Sequence, residues 1–160
     1  ASHPAGIYLD DALSGQEIYG NVLENLKGWG AVYVGGGRDV TVRGNIFINT
    51  KVSVGYDARA REGFIKNGWF AHMVVPEKGG LWGSLEDVPY TEGIWAEKYP
   101  ALASISTDRS DPDSPDFPCN PTRGIVEDNI ICGTGKDCFN ISKDVRKYGS
   151  VANNVVIGRK

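Results

Sequence analysis

Short apolar runs of three to five residues, separated by glycine, asparagine and aspartate, recur along the chain at a nearly constant interval. Four of them align: Gly20-Asn21-Val22-Leu23-Glu24-Asn25, Gly44-Asn45-Ile46-Phe47-Ile48-Asn49, Asp128-Asn129-Ile130-Ile131-Cys132-Gly133 and Asn153-Asn154-Val155-Val156-Ile157-Gly158. Asn21 and Asn45 are 24 residues apart, Asn129 and Asn154 are 25 apart, and an apolar residue (Ile18, Val42, Val126, Val151) precedes each asparagine by three. A third strand family precedes each pair of strands: Gly6-Ile7-Tyr8-Leu9-Asp10, Ala31-Val32-Tyr33-Val34-Gly35, Val52-Ser53-Val54-Gly55-Tyr56-Asp57 and Cys138-Phe139-Asn140-Ile141-Ser142. Three short strands and three turns account for a unit of about 24 residues. Such a unit cannot bury its own apolar side, so units must stack into one continuous core. The pattern predicts an all-β chain wound as a partial parallel β-helix. The recurring asparagine is expected at corners, where it tolerates left-handed backbone and where stacked amides can pair along the axis. An antiparallel sandwich has no reason to repeat Gly-Asn-apolar at fixed spacing.

The period breaks once. Residues 1–57 and 122–160 carry the coils, and residues 58–121 form one long inserted lobe, which on a solenoid is often the binding side. The lobe holds Trp69, Trp82 and Trp95 with Phe64, Phe70, Tyr90 and Tyr99. Short helices are expected near 91–97 and 101–104, separated by Pro100, followed by a polar irregular stretch over 106–115. The first and last residues run directly into and out of strands, so the chain is expected to be part of a longer solenoid, with end-to-end self-association as a consequence of bare strand edges.

Composition narrows the function. The chain has 160 residues with 17 Lys and Arg against 20 Asp and Glu, a net charge of -3, which argues against a nucleic-acid partner held by a basic surface. No apolar run reaches the ~18 residues of a membrane span. There are 21 glycines among the 160 residues, well above the usual ~7%, and with no G-X-Y period they mean turns. Cys119, Cys132 and Cys138 match no zinc spacing and read as free thiols, with one disulfide as the alternative. The opening Ala1-Ser2-His3-Pro4 has no basic or apolar leader pattern. Gly35-Gly36-Gly37-Arg38-Asp39 lacks both phosphate-loop patterns and reads as a turn before a strand.

The segments Ala5-Gly6-Ile7-Tyr8-Leu9-Asp10-Asp11, Gly20-Asn21, Gly35 to Asp39 and Gly44-Asn45-Ile46-Phe47 resemble the coils of the right-handed parallel β-helix (pectin-lyase-like) superfamily of carbohydrate-active proteins. Asp57-Ala58-Arg59, Val88-Pro89-Tyr90 and Trp95 to Tyr99-Pro100 resemble a large, mostly uncharacterised bacterial branch of it. The resemblance implies the fold, a glycan partner, and a parent protein that is extracellular or periplasmic. It leaves the chemistry open, because the superfamily holds hydrolases, lyases, epimerases and purely structural proteins.

The candidate chemistry is a carboxylate pair. Asp10 and Asp11 end the first strand, and Asp57 ends the equivalent strand two coils later. Two strand spacings are roughly 9.6 Å, and leaning side chains approach the ~6.5–9.5 Å of an inverting glycosidase pair. Arg38 and Arg59 are candidates to bind an acidic sugar or developing charge, and Trp69, Trp82 and Trp95 to stack on sugar rings. The alternative is structural: Asp10 and Asp11 cap a turn, Asp57 pairs with Arg59, and the tryptophans pack the lobe. Trp29, inside a coil turn, reads as structural. Polygalacturonases add Gly-His-Gly and Arg-x-Lys segments that this chain lacks, and neither His3 nor His72 has those surroundings. Pectate lyases pair an arginine or lysine base with calcium. Asp10, Asp11, Asp39 and Asp57 are oxygen donors of that kind, but nothing in their order demands the ion, and no cofactor is expected. The expectation is a fragment of a polysaccharide-acting hydrolase or lyase, the alternative a non-catalytic carbohydrate-binding or structural solenoid.

Overall fold

The computed structural model describes residues 5–133 and 137–158. The chain divides into two compact units: the described residues of 1–58 with 121–160, and Arg59–Asn120.

The first unit is three parallel sheets of four strands each, a β-helix-like solenoid. Sheet A takes β1 (Ile7–Leu9), β4 (Val32–Gly35), β7 (Val54–Asp57) and β10 (Phe139–Ile141). Sheet B takes β2 (Glu17–Tyr19), β5 (Thr41–Arg43), β8 (Ile125–Glu127) and β11 (Ser150–Ala152), and sheet C takes β3 (Val22–Glu24), β6 (Ile46–Ile48), β9 (Ile130–Cys132) and β12 (Val155–Ile157). Each coil contributes one strand to each sheet. The sequence alignment is the spatial register: Ile18, Val42, Val126 and Val151 stack in one column, and Leu23, Phe47, Ile131 and Val156 in another. Strand alternation points Leu9, Val34 and Tyr56 from sheet A inward to meet them, so three sheets close around one apolar core.

The corners explain why the strands are so short. The residue before each recurring asparagine takes a left-handed conformation: Gly20, Gly44, Asp128 and Asn153 have φ of 67°, 60°, 55° and 54°. The expected left-handed role therefore belongs to the preceding residue, while Asn21, Asn45, Asn129 and Asn154 form a ladder. Asn21 Nδ2 donates to Asn45 Oδ1 at 3.0 Å, Asn45 Nδ2 to Asn129 Oδ1 at 3.0 Å, and Asn129 Nδ2 to Asn154 Oδ1 at 2.8 Å. Each accepting Oδ1 also takes the backbone N–H of the asparagine one coil away. Asn45 and Asn129 are wholly buried, and their amides also cap the carbonyls of Ile18 and Val42. A different family of residues, Asn25 and Asn49, is itself left-handed at the next corner.

The all-β expectation fails outside the sheets. The last coil carries a helix, α6 (Lys143–Tyr148), started by Ser142, whose Oγ accepts the Val145 N–H at 3.2 Å. The lobe is helical: α1 (Arg59–Lys66), α2 (Ala71–Val74), α3 (Gly80–Glu86), α4 (Gly93–Lys98) and α5 (Pro100–Ala103). The last two match the expected pair, with Pro100 opening α5, where its missing N–H costs nothing. The first three went unexpected because each is too short to show a helical period. Arg61 ties α1 to the returning chain, donating to Asn120 Oδ1 at 2.7 Å, Asp113 Oδ1 at 2.8 Å and the Pro112 carbonyl. Phe64 packs edge-on against Phe117 beside it. No disulfide joins Cys119, Cys132 and Cys138 to one another.

Candidate functional site

The outer face of sheet A gathers the chemistry-bearing side chains of the solenoid. Gly35 and Asp57 are register partners, and extending the β1–β4 register by one residue sets Asp10 beside Gly35. Alternation turns Asp10 and Asp57 outward, since Leu9 and Tyr56 before them are buried. Two aspartates thus occupy one column, their backbones roughly two strand spacings or 9.6 Å apart. Glycine stands between them, so no side chain fills the gap. Tyr33 donates its hydroxyl to Asp57 Oδ2 at 3.0 Å and orients that carboxylate.

Asp11 behaves differently. It and Ala12 lie in the turn after β1 with φ of 46° and 62°, and the Asp11 N–H donates to Asp10 Oδ1 at 2.9 Å. The turn-capping reading describes this contact, and Asp10, not Asp11, shares the column with Asp57.

The next column of the same face is aromatic. Tyr8 and Tyr33 are register partners, followed by Gly55 and Asn140. Tyr8, Tyr33 and Trp29 form a cluster with centroid separations of 5.5 Å (Tyr8–Tyr33), 5.8 Å (Trp29–Tyr33) and 6.3 Å (Tyr8–Trp29). A methyl at Gly55 would come within 2.5 Å of the Tyr33 ring, so glycine there lets the ring lie flat against the strand. Trp29 is 51% exposed and Tyr8 39%, so both keep ring surface open while packed together. Sequence reasoning missed this trio. The signal was present, because Tyr8 and Tyr33 hold the outward position of consecutive strands in one family.

The two arginines expected to meet an acidic sugar are buried. Arg38 is 5% exposed; its Nε donates to Asp39 Oδ2 at 2.9 Å, and its Nη1 is sealed from solvent without a hydrogen-bond partner. Asp39 also accepts from Arg123 Nε, in a corner where Gly15, Asp39 and Arg123 stack with left-handed backbones. Next to this clamp, the Tyr56 hydroxyl donates to the Gly37 carbonyl at 2.7 Å. Burial first, then the negative charges of Asp39 and Asp57, push its ionisation above the ordinary tyrosine range. Arg59, in the lobe, is 8% exposed and lies over the Trp69 ring at 5.2 Å.

The lobe tryptophans differ among themselves. Trp82 is 7% exposed, its Nε1–H donates to the Val74 carbonyl at 2.8 Å, and Arg109 covers its face at 4.9 Å. It is a core residue of the lobe, beside a cleft of about 290 Å³ that none of the candidate aspartates lines. Trp95 is half-buried against Tyr99, and Trp69 is the open one at 68% exposed.

Among the described residues no three His, Cys, Asp or Glu side chains converge to hold a metal, and Asp39 is engaged by two guanidinium groups. His72 lies in α2, its Nδ1 at 2.9 Å from the Trp69 carbonyl, and His3 falls outside the described residues. No described helix is long and apolar enough to cross a membrane. Comparison with protein-family models, curated proteins and solved structures finds no match.

Proposed function

We propose that the solenoid is the sugar-holding part of a polysaccharide-acting protein, a right-handed β-helix of the pectin-lyase-like kind, with Asp10 and Asp57 as its acid and base. Right-handed winding follows from the strong preference of parallel strand connections for that hand. The observation that carries the reading is the pair of outward carboxylates in one column with Gly35 between them. Side chains leaning together from backbones roughly 9.6 Å apart approach the ~6.5–9.5 Å of inversion: one carboxyl protonates the leaving glycosidic oxygen, and the other takes a proton from the water attacking the opposite side of the ring. Asp11 serves this reading as the residue that positions Asp10.

Incubation of the protein with neutral and acidic polysaccharides tests the proposal. New reducing ends without a product absorbing in the near ultraviolet are expected. Asp57→Asn and Asp10→Asn should each lower the rate by about 10²–10⁴-fold. Unchanged rates in both variants would remove the pair from catalysis. A chelator should leave the activity intact, because in this reading two carboxyl groups supply both the acid and the base.

The engagement of Asp57 by Tyr33 and of Asp10 by the Asp11 N–H favours one second reading, a carbohydrate-binding solenoid without turnover. Glycan binding with no product from any substrate would select it.

A further inference from the structure

Resting on the carbohydrate reading, we infer that the Tyr8–Trp29–Tyr33 cluster is the glycan subsite of sheet A, and that it selects uncharged sugar chains over uronates. Three aromatic rings stand together, Tyr8 and Tyr33 at outward strand positions and Trp29 in the turn before β4, with Trp29 and Tyr8 substantially exposed. Pyranose rings present C–H faces that pack on aromatic surfaces, while their hydroxyls need acceptors at the edge. The acceptors are at hand. Asp57 is joined to the cluster by the Tyr33 hydroxyl, and Asp10 lies in the same column.

Charge decides the class of sugar. A uronate chain carries one carboxylate per unit and requires arginine or lysine to meet it. The strands of sheet A contain neither. Arg38 and Arg59, the cations that the sequence suggested for the purpose, are 5% and 8% exposed. Arg38 bonds to Asp39, and Arg59 stacks on Trp69. The face therefore offers two carboxylates and three electron-rich rings, which repel a polyanion and accept hydrogen bonds from neutral hydroxyls. Tyr33 has a double role, as part of the platform and as a positioning residue for Asp57.

Isothermal titration of the chain with neutral oligosaccharides and with oligogalacturonates of equal length tests this, at low and at physiological salt. Neutral chains should bind with little dependence on salt, and oligogalacturonates at least tenfold more weakly. Trp29→Ala and Tyr8→Ala should each weaken neutral binding by about tenfold or more. Their far-ultraviolet circular dichroism should match the unmodified chain. Asn140→Arg adds a cation on the exposed outer face, in register with Gly55, and should raise oligogalacturonate binding without unfolding the sheet. Oligogalacturonate binding as tight as neutral binding in the unmodified chain would overturn the selectivity and leave the carbohydrate reading standing. Neutral binding that survives both alanine substitutions unchanged would move the subsite elsewhere. Failure of every oligosaccharide to bind would overturn the carbohydrate reading itself, and the inference with it.

Discussion

Asn45 sits in the interior with no solvent to satisfy it, yet its amide finds a partner for each polar atom. Its Nδ2 donates to Asn129, Ile18 and Arg43, and its Oδ1 accepts from the side chain and the N–H of Asn21. Alanine there would remove the side-chain donor to the Ile18 carbonyl and to Asn129 Oδ1, and the acceptor of the Asn21 N–H. Each buried orphan costs ~1–3 kcal/mol, so Asn45→Ala should lower unfolding stability by about 2–4 kcal/mol. Asn21→Ala, at the partly exposed end of the ladder, should cost less. Urea titration with an unchanged slope but a lower midpoint for Asn45→Ala is the expected result; equal midpoints for the two variants would contradict the ladder as a buried unit. Tyr56 supplies a pH dependence. Its folded ionisation lies above the ordinary range, so the fold favours the neutral phenol. The stability this contributes is complete below the unfolded tyrosine value of ~10 and is lost as pH rises beyond it. Burial also pushes the Cys138 thiol up, which adds a loss of the same sign starting nearer ~8.5. In Tyr56→Phe, denaturation midpoints measured from pH 8 to 11 should fall less steeply above ~10 than in the unmodified chain.

At the scale of elements, strands of three or four residues have little stability alone, and their hold comes from parallel neighbours and from the inward ladders. Phe47 is the largest inward residue of its column and is fully buried, between Leu23 and Ile131. Its truncation to alanine should cost ~3–5 kcal/mol. The lobe is held differently, by a charged tie. Arg61 joins α1 to residues 112–120 through three acceptors. Arg61→Ala should therefore speed amide exchange at Phe117 and Asn120 by about tenfold or more, since a hydrogen bond to a charged group is worth ~1.5–3 kcal/mol. Exchange at Asn45 and Asn129 should not change, because these belong to the other compact unit. Acceleration at both places would mean that the two units open together.

For the whole molecule, the separation into two compact units predicts that the coils do not need the lobe in order to form. The coil before the lobe turns from sheet A to sheet B through residues 36–40 alone. Replacing residues 59–120 with a turn of that kind should preserve the strand signal in circular dichroism and the protection of the asparagine amides. It should also preserve binding of neutral oligosaccharides, since Tyr8, Trp29 and Tyr33 all belong to the coils. Loss of the strand signal would make the lobe part of the solenoid's folding unit.

Winding and register were legible in the sequence, because each depends on a local rule repeated at a fixed interval. A left-handed corner needs glycine, asparagine or aspartate, and an inward column needs an apolar residue at the same place in every coil. Gly20-Asn21 and Gly44-Asn45 therefore announced their own stacking, and Asp10 and Asp57 their shared sheet. The fate of individual charges and rings was not legible, because burial is set by residues distant in sequence. Arg38 reads as available until Asp39 engages it within a buried corner, and Trp82 reads as a sugar platform until Val74 and Arg109 enclose it. Trp29 reads as structural from its place in a turn, and only the packed molecule shows that it meets Tyr8 and Tyr33, from two different coils, with about half its surface open. Periodic backbone geometry is written along the chain, whereas exposure belongs to the packed molecule, and only the tertiary structure could assign it.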